Sequence, residues 1–408
     1  MQLIPIQGGR NVNYRPTIRA CFAAYIVQAT VNNFAPLLFL TLHSQYNIPM
    51  TQITLLITIN FLVQLCIDGA SAFFVDKIGY RAAAVIGHAA SALGLIALAV
   101  LPSAMPSPFA GLLIAVFLYA LGGGLIEVVI SPIVEACPND HKAQTMSILH
   151  SFYCWGSAGV IIISTLFMYL FGRENWPILS AIWALLPIVN GIVFLRVPLA
   201  PLIADGETGM SLRELFSSKI FWLIMLLMMC AGASEQAVSQ WASTFAEQGL
   251  GVSKAIGDLT GPTMFALLMA ISRLFYGKFG SRINLEKAIL ASAALCVVAY
   301  LITGVTSLPV AGLIGMAVCG FSVGIFWPGT FSTAAVALSR GGTAMFALMA
   351  LAGDLGCSGG PTLAGAISAV TGDNLRLGIL VCVCFPVLLI VGMLALKAAL
   401  KKGIGNRG

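Results

Sequence analysis

Apolar residues in this chain come in long unbroken runs, neither as the narrow stripe of a soluble helix nor as the alternation of a strand. Between polar or Pro/Gly-marked breaks, twelve runs stand out. They lie at about 17–42, 52–75, 82–101, 109–136, 143–169 and 177–195, then 219–246, 258–277, 285–304, 309–335, 342–369 and 374–398. A helix needs about 20 apolar residues to cross a bilayer, and it satisfies its own backbone polar groups while doing so. The pattern predicts an all-α polytopic membrane protein of twelve transmembrane helices. Connections are short except for 196–218, which carries Asp205, Glu207, Arg213 and Glu214. That interval divides the chain into an N-terminal six-helix bundle (1–195), a cytoplasmic linker (196–218) and a C-terminal six-helix bundle (219–408). The first run begins near Thr17, behind Arg10, Arg15 and Arg19, and is long enough to stay in the bilayer rather than serve as a cleaved signal.

Composition supports the membrane assignment. Of 408 residues, 59% are hydrophobic and 9% charged, against about 25% charge in ordinary soluble domains, so the chain cannot clothe a water-facing surface. A secreted disulfide scaffold, a disordered tail protein and a nucleic-acid binder are excluded. Nine of the ten cysteines sit inside apolar runs, Cys137 stands near a loop, and no C-x-x-C pair occurs. They read as small apolar residues, and no metal or cofactor is expected. Lys and Arg favour the cytoplasmic side. With the N-terminus inside, seventeen of them face the cytoplasm and three (Arg173, Lys254, Arg376) the exterior, with Arg273 near a helix end. The expectation is a multi-pass protein of the cell (cytoplasmic) membrane with both termini cytoplasmic.

The two halves share a turn. The loop after the second run reads Asp76-Lys77-Ile78-Gly79-Tyr80-Arg81, and that after the eighth reads Gly277-Lys278-Phe279-Gly280-Ser281-Arg282. Lys, Gly and Arg recur at one offset, as in transporters built from parallel repeats. The segment Ala72 to Arg81 resembles the helix 2–3 signature of the major facilitator superfamily: Gly, three residues, Asp, a basic residue, any residue, Gly, then basic residues. Ala72 stands for the first Gly and Tyr80 for one basic position, while Asp76, Lys77, Gly79 and Arg81 match. The resemblance implies two pseudo-symmetric six-helix bundles and a gate in which Asp76 caps a helix end and pairs with a cation, Arg81 lying in the same motif. Gly277 replaces the Asp in the second copy, so the latch is one-sided.

Ionisable residues inside apolar helices cost about 2.5–3.5 kcal/mol each on insertion scales and mark function or pairing. Four acids qualify: Asp68, Glu127, Glu235 and Asp354. Glu127 follows Gly122-Gly123-Gly124 and lies about 15 Å in from the cytoplasmic helix end at 1.5 Å per residue. His150 lies about 12 Å in on the next helix by the same rise, which predicts a carboxyl–imidazole proton relay, or else a structural hydrogen bond. Glu235 is the third proton-coupling candidate. Gln236, Gln240 and Trp241 near it, with Asn32 and Asn33 at similar depth on the first helix, would suit a polyhydroxylated ligand: amides offer paired donors and acceptors, and an indole stacks on C–H-rich faces. Helix-to-helix adhesion is the alternative for such amides. Asp354 sits among glycines that allow close approach or a bend as well as solute contact. Asp68, two turns before Asp76, reads as gate or fold support. Arg273 is placed with the gate and either pairs with an acid or snorkels to the interface. In Ile325-Phe326-Trp327-Pro328, Phe326 is core by default and Trp327 a stacking platform beside a kink.

These segments also resemble the fucose/galactose/glucose symporter branch of that superfamily: Glu127 with Ser131-Pro132, Leu149-His150-Ser151-Phe152-Tyr153, Glu235 with Trp241, and Phe326-Trp327-Pro328. The resemblance places Tyr153 among the solute-binding residues and implies proton-coupled sugar uptake through an acid on helix 4 and one on helix 1. Glu127 matches the first. Asn33 stands at the second, and Ser131 where Asn is usual, so coupling falls to Glu127, with Glu235 beside it, or the ion is sodium. The expected function is ion-coupled symport of a small polar solute by alternating access. A drug or organic-anion antiporter on the same fold is the alternative, although the helix 5 run Gly156-Ser157-Ala158-Gly159 lacks the Pro usual in such exporters. No zincin, nucleophile-elbow or P-loop pattern occurs, so an enzyme is not expected. The partners implied are solute, coupling ion and lipid, with the chain a monomer.

Overall fold

The computed structural model describes residues 12–202, 209–242, 245–246, 251, 254–306, 308–372 and 374–405, and among them every regular element is a helix. Arg10, Asp205, Glu207 and Arg407 lie outside the described residues, and of Lys254 and Lys402 only the backbone is described. In the N-terminal half, α1 is Arg15–Leu37, extended by Phe39–Tyr46, and α2 is Met50–Ile78. Then come α3 (Tyr80–Ala104), α4 (Pro108–Ala136), α5 (Lys142–Phe171) and α6 (Trp176–Arg196). A short helix, Leu212–Ser217, leads to α7 (Lys219–Ser239), α8 (Lys254–Phe279) and α9 (Leu285–Val305). The last three are α10 (Pro309–Val323 and Phe326–Ala337), α11 (Gly342–Val370) and α12 (Leu375–Val381 and Cys384–Gly405).

Among the described residues nine helices are long and apolar enough to cross a membrane. The remaining members of the expected twelve, α1, α8 and α11, are long enough but more polar: α1 carries Gln28, Asn32 and Asn33, α8 carries Arg273, and α11 carries Asp354 amid glycines. Polarity is thus concentrated on a few helices rather than spread over all.

Helix ends follow local chemistry. Proline opens α1, α4, α6 and α10, where its missing N–H is no loss. Side-chain oxygens of Ser107, Ser218 and Asn284 cap α4, α7 and α9, satisfying N–H groups the helix leaves open. Ser211 and Glu214 form a capping box on the short helix, and these hydrogen bonds hold the Glu214 carboxyl below the usual carboxylate range. The repeated basic turns differ. Gly79 reverses the chain alone at φ 84°, a conformation that favours glycine, whereas Gly280–Arg282 form a 3-10 turn before the Asn284 cap.

Besides α1, which is interrupted at Leu38, two runs expected to be single helices are broken. α10 is interrupted at Gly324 and Ile325, and α12 at Cys382 and Val383. Each break lies about one turn ahead of a proline, Pro328 or Pro386, which cannot donate to the carbonyl four residues back and crowds it. The α7 run, read from sequence to 246, is regular α-helix only to Ser239.

By contact the chain forms two compact units: Met1–Asp140 with Phe152–Gly206, and His141–Ser151 with Glu207–Gly408. The linker stretch is shared between them, and the first turns of α5 belong with the second unit. In the first unit α4 packs against α3, α2 and α1, and α3 also against α6. Its apolar core includes Phe34, Leu95, Leu112, Tyr119 and Trp176. In the second unit α7 packs tightly against α11. A Cβ on Gly232 or Gly356 would collide with the backbone carbonyls of Gly353 and Met229, and one on Gly360 would fall 2.6 Å from that of Ala233. Glycine at these positions lets the two backbones touch.

Candidate functional site

The first unit holds a polar layer on α1, α2, α4 and α5. Gln28 and Asn32 lie four residues apart on α1, and Asn60, Gln64 and Asp68 repeat that spacing on α2, so each set shares a helix face. Gln28 Nε2 donates to Glu127 Oε2 across α1 and α4. One turn away, the Tyr25 and Ser131 hydroxyls bond at 2.9 Å, fixing the same two helices in register. Asn32 Oδ1 accepts from Gln64 Nε2 at 2.8 Å and Asn60 Nδ2 at 3.3 Å, and Asn32 Nδ2 reaches the Tyr153 hydroxyl at 3.4 Å. Asn33 donates to the Ala29 carbonyl at 2.8 Å and to Ser157 Oγ at 3.1 Å. Glu127, Asn32, Asn33 and Tyr153 are half-buried, whereas Gln28, Asn60, Gln64 and Asp68 are buried.

The second unit handles its acid differently. Arg273 Nη2 lies 3.3 Å from Glu235 Oε2, the two side chains being 4% and 12% exposed, so the pair is an interior salt bridge. The guanidinium also donates through Nη1 to the His150 carbonyl at 3.2 Å and through Nε to the Gly324 carbonyl at 3.1 Å. The second acceptor exists because Pro328 offers no N–H to Gly324 and opens the α10 ladder there. Ser147 Oγ completes the cluster by donating to the Arg273 carbonyl at 2.7 Å. The His150 ring stacks on Phe331 at 5.8 Å, and Phe331 stacks on Phe346 at 5.6 Å and tilts against Trp327 at 6.2 Å.

The remaining expected residues fall as follows. Gln240 Nε2 donates to Gln236 Oε1 at 3.1 Å along the edge of α7. Trp241 is pinned to α11, its Nε1 donating to the Pro361 carbonyl at 2.9 Å and its ring lying where a side chain on Gly365 would be. Phe326 is wholly buried and Trp327 nearly so, packed over Gly353. Asp354 is half-buried on α11 and Asp68 fully buried on α2, whereas Asp76 is exposed at the end of α2. Arg81 donates to the Phe194 and Val197 carbonyls at 2.6 and 2.9 Å, so it caps the C-terminal end of α6. Of the two expectations for Arg273, pairing with an acid or snorkelling to the interface, the structure has the first: it is the buried partner of Glu235. Glu127 and His150, expected as a relay or a structural hydrogen bond, belong to different compact units; Glu127 accepts from the Gln28 amide, and the His150 ring stacks on Phe331.

Sequence reasoning passed over Gln28, Asn60 and Gln64, although the four-residue spacing of amides within apolar runs is a readable signal. It also passed over His88, whose Nδ1–H donates to the Ala84 carbonyl at 2.7 Å while Nε2 accepts from Asn190 at 2.8 Å. Asn190 also donates to the Ala20 carbonyl at 3.0 Å. That bridge ties α3, α6 and α1 together. Among the described residues no cluster of three or more His, Cys, Asp or Glu could hold a metal ion.

The sequence pattern of the Major Facilitator Superfamily matches residues 20–361, most of the chain. The chain belongs to the major facilitator superfamily. It is therefore a membrane transporter and not an enzyme. Comparison with the curated proteins gives no match. Solved structures of similar fold include the E. coli fucose:proton symporter FucP (TM-score 0.79, 16% identity, 94% of this chain and 99% of that one). The proton:xylose symporter XylE bound to 6-bromo-6-deoxy-D-glucose is also similar (TM-score 0.77, 11% identity, 93% and 95%). So is a bacterial homologue of the iron transporter ferroportin in an outward-facing state (TM-score 0.72, 12% identity, 93% and 99%). At these identities the likeness is one of fold, and family members with different cargoes share it.

Proposed function

We propose that the protein is a proton-coupled symporter of a small polar solute, a sugar by class. It works by rocking the halves 1–195 and 219–408, joined by 196–218, about a site near the midplane. Both termini are cytoplasmic, the membrane is the cell membrane, and the chain acts as a monomer. One observation carries the coupling: Glu127 is a half-buried acid that accepts a hydrogen bond from the neutral amide of Gln28. A carboxyl bonded to an amide keeps a partner whether charged or neutral, so it can load and unload a proton. Glu235 faces a guanidinium and would leave an uncompensated buried cation if neutralised. We therefore assign the proton to Glu127, and give Glu235 and Arg273 a structural role.

The amide group Asn32, Asn60 and Gln64 with Tyr153 supplies donors and acceptors suited to hydroxyls, which favours a sugar over an apolar drug. FucP and XylE, proton symporters of fucose and xylose, share the fold and lend support to this class.

Reconstituted protein offered fucose, xylose, galactose and glucose under an inward proton or sodium gradient tests the reading. At least one sugar is expected to accumulate with the proton gradient. Glu127→Gln is expected to abolish accumulation and leave counterflow exchange within a few-fold. Accumulation that needs sodium instead, or that persists undiminished in Glu127→Gln at every pH, overturns it.

A further inference from the structure

Gln28 is 3% exposed and engages Glu127 through its N–H, yet its amide oxygen Oε1 is buried with no hydrogen-bond partner among the described residues. A buried acceptor left unmet is destabilising, so its presence beside a titratable acid calls for an explanation. A primary amide carries a donor and an acceptor side by side in one plane, and a carboxylic acid carries the same two in reverse order. An ionised carboxylate is acceptor-only and can use just the amide N–H. A protonated one can also give its O–H to the amide carbonyl, closing a ring of two hydrogen bonds. The orphaned Oε1 is the feature expected of the ionised form.

The geometry points to Gln28 as the positioning residue that holds Glu127 in both charge states: its N–H bonds the carboxylate, and its carbonyl receives the O–H once a proton has bound. The proton arrives from water onto the Glu127 carboxylate, whose charge goes from minus one to zero, and on release that O–H breaks back to water. The inference rests on the reading of Glu127 as the proton carrier. Other titratable groups on helices packed with α4 include Tyr25 on α1, bonded to Ser131, Asp68 and Asp76 on α2, and His88 on α3, bonded to Ala84 and Asn190. The Tyr25–Ser131 pair fixes the register that keeps Gln28 opposite Glu127.

Infrared difference spectra of the protein in liposomes, taken through an acid–base titration with no solute present, test the pairing. The protonated-carboxyl stretch of Glu127 is identified by its absence in Glu127→Gln. It is expected at the low frequency of a doubly hydrogen-bonded acid, and to move to higher frequency in Gln28→Met, which keeps the volume and removes the amide. Should Gln28→Met fail to yield folded protein, Gln28→Asn, one methylene too short to close the ring, is expected to give the same rise. A Glu127 band that stays in place in the folded variant overturns the role of Gln28 and leaves the coupling assignment intact. The absence at every pH of any band lost in Glu127→Gln overturns that assignment itself.

Discussion

The two units solve one problem, an acid inside an apolar bundle, in opposite ways. In the first, Glu127 is given a neutral amide and stands beside a layer of further amides. In the second, Glu235 is given Arg273, whose Nη1 and Nε also donate to backbone carbonyls on α5 and α10. Breaking a buried ion pair by removing one partner costs about 3–5 kcal/mol, whereas interhelical hydrogen bonds between neutral groups in membranes average about 0.6 kcal/mol. The difference teaches where change of state is affordable. A carboxyl bonded to an amide keeps a partner in either charge state and can switch, and one held by an opposite charge is a fixed point about which other things move.

The sharpest way to break this contrast is to remove one charge. Arg273→Met is expected to lower stability by about 3–5 kcal/mol, seen as a large drop in the unfolding midpoint in detergent. Adding Glu235→Met should restore most of it. A single variant that melts like the wild type would show the pair to be dispensable. Neutralising the other acid sharpens the comparison: Glu127→Gln replaces the carboxylate by an amide that can still pair with Gln28, so the unfolding midpoint should move far less than in Arg273→Met, and any loss of transport cannot be blamed on unfolding. Pro328→Ala tests the acceptor on α10. It restores an N–H to Gly324 and draws that carbonyl away from Arg273, for a net loss of about 1–2 kcal/mol, and a gain would mean the guanidinium does not need it. Smaller than the Pro328 effect is that of Trp241→Phe, which keeps a ring over Gly365 but drops the bond to Pro361, costing about 0.5–1.5 kcal/mol. A fall in solute affinity with unchanged melting would instead assign Trp241 to the solute.

The helices were legible because run length against bilayer thickness is a one-dimensional quantity, and so were the acids, since a charge in an apolar run is conspicuous. Partners were not legible. Glu235 and Arg273 lie 38 positions apart, and nothing in a linear string says which helix faces which. For His150 the sequence gives depth, which fixes only height along a helix and leaves its facing direction open. The break in α12 was missed because Pro386 sits in an otherwise unbroken apolar run, whereas Pro328 announced itself through its aromatic neighbours. Gln28 was overlooked because amides are common adhesives between helices. Only its place opposite Glu127 separates it from the others.

The missing hydrogen on Pro328 has a reach beyond its own helix. A lipid-embedded bundle consumes nearly all its carbonyls in helical ladders, so a cation sequestered there has few oxygens to hold, and an imino acid is one way to release one. Replacing helix-interrupting prolines is an ordinary route to a sturdier protein. Applied at position 328, it would straighten one rod and strand the guanidinium of another, weakening the scaffold it was meant to reinforce.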